Sequence, residues 1–181
     1  LEQNVQRMVS DSKLVNELME HLKFLVSGNT ATRNTGQPWR NELRNTTKAL
    51  ARLTMRSDAN RLAVFPGEHQ APEWRLSRIN AIASVITNPP ELPEDLAAYA
   101  YAISIMGSLA ANGFDGYSEV RGAIRNTGAV ARIVQAVERC NQISAGQQLE
   151  ASRELYFFAA QALRTLMESD EHAVAAKTVR E

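Results

Sequence analysis

Three similar segments recur along the chain at a nearly constant interval. They read KALARLT at 48–54, SIMGSLA at 104–110 and QALRTLM at 161–167. Their last leucines, Leu53, Leu109 and Leu166, lie 56 and 57 residues apart, and a short polar turn follows each one. An interval of this size indicates stacked structural repeats, in which each unit buries its apolar side against its neighbours.

Helical periodicity dominates the chain between these segments. Apolar residues recur at three- and four-residue intervals, as in Leu18, Leu22 and Leu25, whereas strand-like alternation is almost absent. Ser10 or Asp11 is a candidate helix cap, and Pro72 and Pro93 suit the first turns of helices. We therefore predict an all-α protein with helices near 2–9, 12–27, 38–57, 58–65, 72–87, 94–112, 116–125, 127–142, 148–168 and 170–180. Their lengths repeat in the order short, medium, long.

Length and composition fit one domain over residues 1–181. The repeats cover about 2–57, 58–112 and 116–168, with a partial unit at 170–181, so we expect a piece of a longer array. Lys+Arg and Asp+Glu both number 20, which gives no general attraction to nucleic acid or to a membrane surface. No apolar stretch approaches the roughly 18 residues of a membrane span. Cys140 is the one cysteine, which either favours a reducing compartment or is neutral, and we expect a cytoplasmic location.

At residues 124–134 (IRNTGAVARIV) and 60–67 (NRLAVFPG), the chain resembles the junction between the first and second helices of an armadillo repeat. The segments at 48–54, 104–110 and 161–167 resemble the Ala-Leu-x-x-Leu pattern of the long third helix. The resemblance implies a right-handed α-solenoid of about three three-helix repeats. The interval of 57 exceeds the usual armadillo unit of about 40–47 residues. Insertions at 28–37, 88–93 and 141–147 fit the excess.

In the armadillo family the third helices line a concave groove that holds partner proteins. An asparagine before the last leucine, often with a tryptophan four residues earlier, clamps an extended peptide there. The matched positions here are Arg52, Ser108 and Thr165 for the asparagine, and Lys48, Ser104 and Gln161 for the tryptophan. The pattern that holds an extended basic peptide is therefore missing, which argues against cargo of the nuclear-import type.

Basic residues recur every four positions along the first long helix. They are Arg40, Arg44, Lys48, Arg52 and Arg56. This spacing places them on one side of the helix, where like charges repel by a few tenths of a kcal/mol per pair. Residues 33–61 hold seven Lys and Arg against two Asp and Glu, whereas residues 62–120 hold two against seven. The strip is either ordinary solvated surface, a site for an acidic partner, or a site for phosphate or RNA backbone.

Signals for catalysis, metals and cofactors are weak. His21, His69 and His172 are isolated, with no histidine or cysteine at metal-ligand spacing. No phosphate-binding loop or Gly-x-Ser-x-Gly motif is present. Cys140 follows an apolar helical stripe, so we predict a buried thiol rather than a nucleophile. We predict no cofactor and no metal.

The few aromatic residues fall mainly on long helices. Most of the set formed by Tyr99, Tyr101, Tyr156, Phe157 and Phe158 is expected in the core. Trp39 and Trp74 lie at helix starts and are expected to pack between repeats, unless one of them anchors a partner.

The leading hypothesis is a scaffold or adaptor that holds a protein partner through its long helices, and an acidic protein is one candidate for that partner. Arg44, Lys48, Arg52, Arg56, Ser104, Ser108, Gln161 and Thr165 are the predicted partner-binding residues. Fold analogy alone suggests regulation of a small GTPase or of cytoskeletal assembly. The alternative is a nucleic-acid-coating or self-assembling protein of the capsid type, against which the zero net charge counts. An enzyme of unrecognised type has no residue constellation in its favour.

Overall fold

A computed structural model describes residues 2–27, 37–65, 72–86, 93–111, 117–143 and 150–167 of the 181-residue chain. Within these ranges the secondary structure consists of eight α-helices without any strand, which confirms the all-α class. The helices are α1 (Glu2–Ser27), α2 (Gln37–Thr54), α3 (Asp58–Val64), α4 (Pro72–Val85), α5 (Pro93–Leu109), α6 (Tyr117–Asn126), α7 (Ala129–Ile143) and α8 (Glu150–Met167).

Most predicted helices are present with shifted ends. The predicted break at Ser10 and Asp11 is wrong, because α1 runs unbroken through both residues. Serine and aspartate favour caps but do not exclude a helix interior, and no glycine or proline interrupts α1. Pro72 and Pro93 are the first residues of α4 and α5, as predicted. The predicted helix at 170–180 lies outside the described residues.

Local side-chain and backbone chemistry sets two of the boundaries. Ser57 caps α3, since its side chain accepts a hydrogen bond from the backbone N–H of Asn60 at 3.2 Å. Gly128 separates α6 from α7 with φ of +73°, in the left-handed region that a residue without Cβ adopts at little cost. The chain can therefore end one helix and begin the next within two residues.

The long helices α2, α5 and α8 pack side by side in what we call the long-helix row. The central helix α5 packs against both α2 and α8. It is buried on nearly all sides, and its fully buried residues include Leu96, Ala100, Ile103 and Met106. Other helices lie against the row: the 26-residue α1 packs on α2, α4 packs on α5, and α7 packs on α8. The order short, medium, long occurs twice, in α3–α4–α5 and again in α6–α7–α8.

Small residues bring α5 and α8 into close contact. A Cβ atom added to Gly107 would lie 3.2 Å from the Cβ of Ala162 and 3.3 Å from its Cα. Such a separation is shorter than an ordinary carbon–carbon contact. Gly107 and Ala162 therefore allow the backbones of α5 and α8 to approach closely.

Arginine side chains donate hydrogen bonds to carbonyl groups at the C-terminal ends of α2, α5 and α8. Arg61 Nε donates to the carbonyl of Thr54 at 3.1 Å, and Arg121 Nε donates to that of Ala110 at 2.9 Å. Thr54 and Ala110 each follow a repeated leucine, Leu53 or Leu109. In α8, Arg125 Nε donates to the carbonyl of Leu166 itself, at 2.8 Å. Carbonyls in the last turn lack helical partners, so these bonds satisfy groups that the helix leaves open.

Candidate functional site

The predicted partner-binding residues all lie on the long-helix row or directly after one of its helices. Arg44, Lys48 and Arg52 lie on α2, with Arg56 just beyond its end; Ser104 and Ser108 lie on α5, and Gln161 and Thr165 on α8. Because α5 packs against both other helices, these residues occupy neighbouring helices of one layer. Whether they bind a partner stays a prediction.

One side chain from each helix of the row forms a line across it. The Nζ of Lys48 lies 5.6 Å from the centroid of the Tyr101 ring, within the range of a cation–π interaction. The negative charge of Glu154 on α8 acts on the hydroxyl of Tyr101. We call this set the Lys48–Tyr101–Glu154 line. A cation on α2, an aromatic ring on α5 and an anion on α8 thus follow one another across the row.

The pKa of Tyr101 depends on the charged residues around this line. Burial raises the pKa of the Tyr101 hydroxyl above its ordinary value, and the negative charge of Glu154 raises it further. Glu150 acts in the same direction, whereas the positive charge of Arg52 opposes it. Arg52 and Glu150 therefore act electrostatically on the same ring from the two flanking helices.

Charge is divided between the two edges of the row. Arg40 forms an ion pair with Asp95, so the first member of the basic strip is neutralised by α5. Within the described ranges no ion pair engages Arg44, Arg52 or Arg56, which leaves the α2 edge positive. The N-terminal half of α8 contributes Glu150 and Glu154 to the opposite edge.

The hydroxyl groups of Ser104, Ser108 and Thr165, three of the predicted partner-binding residues, already make contacts within the protein. Ser104 is 5% exposed, and its Oγ lies 3.6 Å from the Sδ of Met55. Ser108 and Thr165 donate to carbonyls of their own helices, those of Ile105 and Ala162, both at 2.9 Å. Only their acceptor lone pairs remain for a partner. Gln161 is exposed.

Tyr101 and Glu154 were not among the predicted site residues. Tyr101 was expected in the core, yet it is half-buried and faces charged residues. A usable signal existed, because Tyr101 lies one helical turn before Ser104. Nothing in the sequence pointed to Glu154, because its proximity to Tyr101 depends on how α5 and α8 are aligned.

A second concave region lies between α4 and α6. It is a cavity of about 370 Å³ lined by Phe65, Pro72, Arg75, Leu76, Glu119, Gly122, Ala123 and Asn126. At its wall Arg75 pairs with Glu119 at 2.6 Å, and the Cζ of Arg75 lies 5.5 Å from the Phe65 ring centroid. Most of this lining is apolar, and its guanidinium already has a carboxylate partner.

Chemistry-bearing residues elsewhere are dispersed. Among the residues that the structure describes, no group of three His, Cys, Asp or Glu side chains could hold a metal ion. His21 Nε2 lies 3.0 Å from Glu42 Oε1, a contact between α1 and α2. Cys140 is fully buried, as predicted. His69 and His172 lie outside the described residues.

Comparison with family models, curated proteins and solved structures finds no match to this chain. Across the described ranges, no helix combines the length and the apolar character needed to cross a membrane.

Proposed function

We propose that the chain is a non-catalytic cytoplasmic scaffold that binds a protein partner across the long-helix row. The observation that carries the proposal is the Lys48–Tyr101–Glu154 line, which sets a positive edge and a negative edge on either side of a half-buried ring. An amphipathic aromatic between charges of opposite sign suits a partner with its own charge asymmetry. Such a partner places acidic residues over α2.

The proposal includes an armadillo-like, right-handed solenoid. Three observations support it: the row of long helices, the recurring short–medium–long order, and the arginines at matched helix ends. In a solenoid, equivalent helices from successive repeats form one continuous surface. A surface of that kind suits the binding of a partner protein.

Charge reversal on the α2 edge tests the proposal. The variant carries Arg44→Glu, Arg52→Glu and Arg56→Glu and leaves Lys48 on its tyrosine. A matched control carries Lys13→Glu, Lys23→Glu and Arg139→Glu, which makes the same change in net charge on α1 and α7. Circular dichroism first shows that both variants keep their helices. Fluorescence anisotropy then measures binding of an acidic helical peptide and of single-stranded RNA over a range of salt concentrations.

The scaffold proposal predicts that the peptide binds the native chain and the control but loses affinity for the α2 variant by about tenfold or more. Equal peptide binding by all three proteins contradicts a site on α2. The alternative, a nucleic-acid-coating protein, rests on the same positive edge. It is favoured if RNA alone binds, with a steep salt dependence that the α2 variant loses.

A further inference from the structure

The cavity between α4 and α6 lies apart from the long-helix row. The described residues that line it belong to α4, to α6 and to the end of α3. Its volume of about 370 Å³ is within the range of pockets that hold small organic molecules. Phe65 and Ala123 form buried parts of the lining, whereas Leu76 is 44% exposed. The cavity therefore combines an apolar interior with access from solvent.

Gly122 leaves the α6 side of this cavity without a side chain. The glycine lines the cavity, and no heavy atom lies within 4 Å of a Cβ added to it. Glycine is less favourable than alanine inside a helix, and packing does not require it here, because an added methyl group meets no neighbour. An open binding site accounts for this glycine better than helix stability or close packing does.

Arg75 places a polar group in the mostly apolar wall. It is 7% exposed, and its Nη1 lies 2.6 Å from Glu119 Oε1. Its Nε is also buried and finds no hydrogen-bond acceptor in the part of the chain that the structure describes. A buried donor without an acceptor is unfavourable, and a bound molecule can supply the acceptor where the chain does not. The wall therefore lacks an acceptor rather than a donor.

The charges of the wall favour a neutral ligand. Glu119 balances Arg75, so the pair adds no net charge to the cavity. A ligand carboxylate beside Arg75 would lie close to the carboxylate of Glu119, and the two negative charges would repel. A carbonyl oxygen accepts the same hydrogen bond without carrying a charge. An ammonium group has no N–H acceptor to offer and would be repelled by the guanidinium.

We propose that this cavity binds a small neutral molecule in which an apolar body carries one carbonyl group. The apolar body packs on Phe65 and Ala123 beside Gly122, and the carbonyl oxygen accepts a hydrogen bond from Arg75. A ligand of about a dozen non-hydrogen atoms should bind with a dissociation constant of about 0.1–1 mM. The site shares no residue with the Lys48–Tyr101–Glu154 line, so it does not depend on the proposed scaffold function.

Titration of the full chain with butyrophenone, a neutral aryl ketone, tests the proposal through backbone amide signals in proton–nitrogen NMR spectra. Phenylbutyrate and phenylbutylamine offer a similar apolar body with a negative and a positive charge. Gly122→Leu fills the cavity, and urea denaturation shows whether it stays folded. Ala160→Leu is the matched control, because it adds the same side chain at an exposed position on α8. Glu119→Gln removes the charge that balances Arg75.

We expect butyrophenone to shift the amide signals of Leu76, Gly122 and Ala123 in the native chain. Ala160→Leu should bind it equally well, whereas Gly122→Leu should bind it about tenfold more weakly or worse, because leucine occupies the space of the ligand. Phenylbutyrate should bind the native chain several-fold more weakly than butyrophenone does. Glu119→Gln should bind phenylbutyrate about fivefold more tightly than the native chain, because the guanidinium is then unbalanced.

Equal binding of butyrophenone by the native chain and by a folded Gly122→Leu variant overturns the proposal. Signal changes confined to the surroundings of the exposed Phe24 and Phe157 rings also overturn it. So does tighter binding of either charged ligand to the native chain. Nuclear Overhauser contacts between Gly122 and another segment of the ligand-free chain have the same meaning, because the protein then fills the cavity itself. The ligand preference of Glu119→Gln decides the question even if Gly122→Leu does not fold.

Discussion

Gly107 on α5 contacts Ala162 on α8 so closely that a Cβ on the glycine would lie 3.2 Å from the Cβ of the alanine. The backbones of two long helices can approach this far only because one side chain is absent and the other is a methyl group. The close approach of α5 and α8 at this point therefore depends on the absence of a side chain at position 107.

Gly107→Val should destabilise the protein because the two helices must move apart. Overpacking of this kind costs about 1–3 kcal/mol, which urea denaturation measures directly. Gly122→Val is the matched control, since no heavy atom lies within 4 Å of a Cβ at that helical position. We expect the control to change stability by less than about 0.5 kcal/mol. A Gly107→Val protein as stable as the control would contradict the close packing.

The hydroxyl of Tyr101 should titrate at higher pH than an ordinary tyrosine. Burial and Glu154 both favour its neutral form, so its folded pKa exceeds the unfolded value. The resulting stability is fully present below the unfolded pKa and is lost as pH rises through the folded pKa. Phenolate absorbance during a pH titration, compared with Tyr101→Phe, isolates this group. Glu154→Gln should lower the Tyr101 pKa; an unchanged pKa would exclude the contact across the row.

Arg78→Ala should be among the most destabilising substitutions in α4. Arg78 is 1% exposed, stacks on Trp74 with its Cζ 3.7 Å from the ring centroid, and donates to Asn16 at 2.9 Å. It also donates to the carbonyl of Ala63 and pairs with Glu20. Removing the side chain empties its buried position and breaks these contacts, so we expect a loss of about 2–4 kcal/mol in the free energy of unfolding.

Two further variants, Arg78→Lys and Arg139→Ala, serve as comparisons for Arg78→Ala. Arg78→Lys should recover only part of the loss, because an ammonium group lacks the planar donors that stack and reach three acceptors. Arg139→Ala, which removes an exposed bond to Gln142, should cost less than about 0.5 kcal/mol. Denaturation midpoints that rank the three variants differently would argue against a structural role for the buried guanidinium.

Ser57→Ala should weaken the start of α3. The serine oxygen satisfies the N–H of Asn60, and its loss costs about 1 kcal/mol in typical caps. Ser57→Asp should retain most of the stability, because aspartate caps equally well. Thermal unfolding of the two variants separates capping from any other effect of the serine side chain.

Helix class and most helix positions could be predicted because their signals are local. Prolines at 72 and 93 begin helices through their own fixed φ, whatever lies around them. The repeated leucines likewise mark the ends of the three long helices. Ser10 and Asp11 were misinterpreted because their side chains favour caps without excluding a helix interior.

Burial of charged residues could not be predicted, because it depends on distant acceptors. Arg78 donates to Asn16 on α1 and to the carbonyl of Ala63 near the end of α3, and no pattern in α4 reveals either acceptor. Phe157 shows the opposite case: it belongs to a set expected mostly in the core but is exposed, since an apolar side chain does not show which helix face meets a neighbour. The Lys48–Tyr101–Glu154 line likewise needs three helices in register.

The long-helix row also bears on how the chain reaches its native state. Its helices contact one another across some 55 residues of sequence, with two other helices in each interval. Helical proteins usually fold fast because their contacts are short-range along the chain. Here α5 gains its burial only when helices far away in sequence arrive on both sides. We therefore expect slower folding than for an ordinary bundle of this size. In the folding transition state, α2, α5 and α8 should already be in contact.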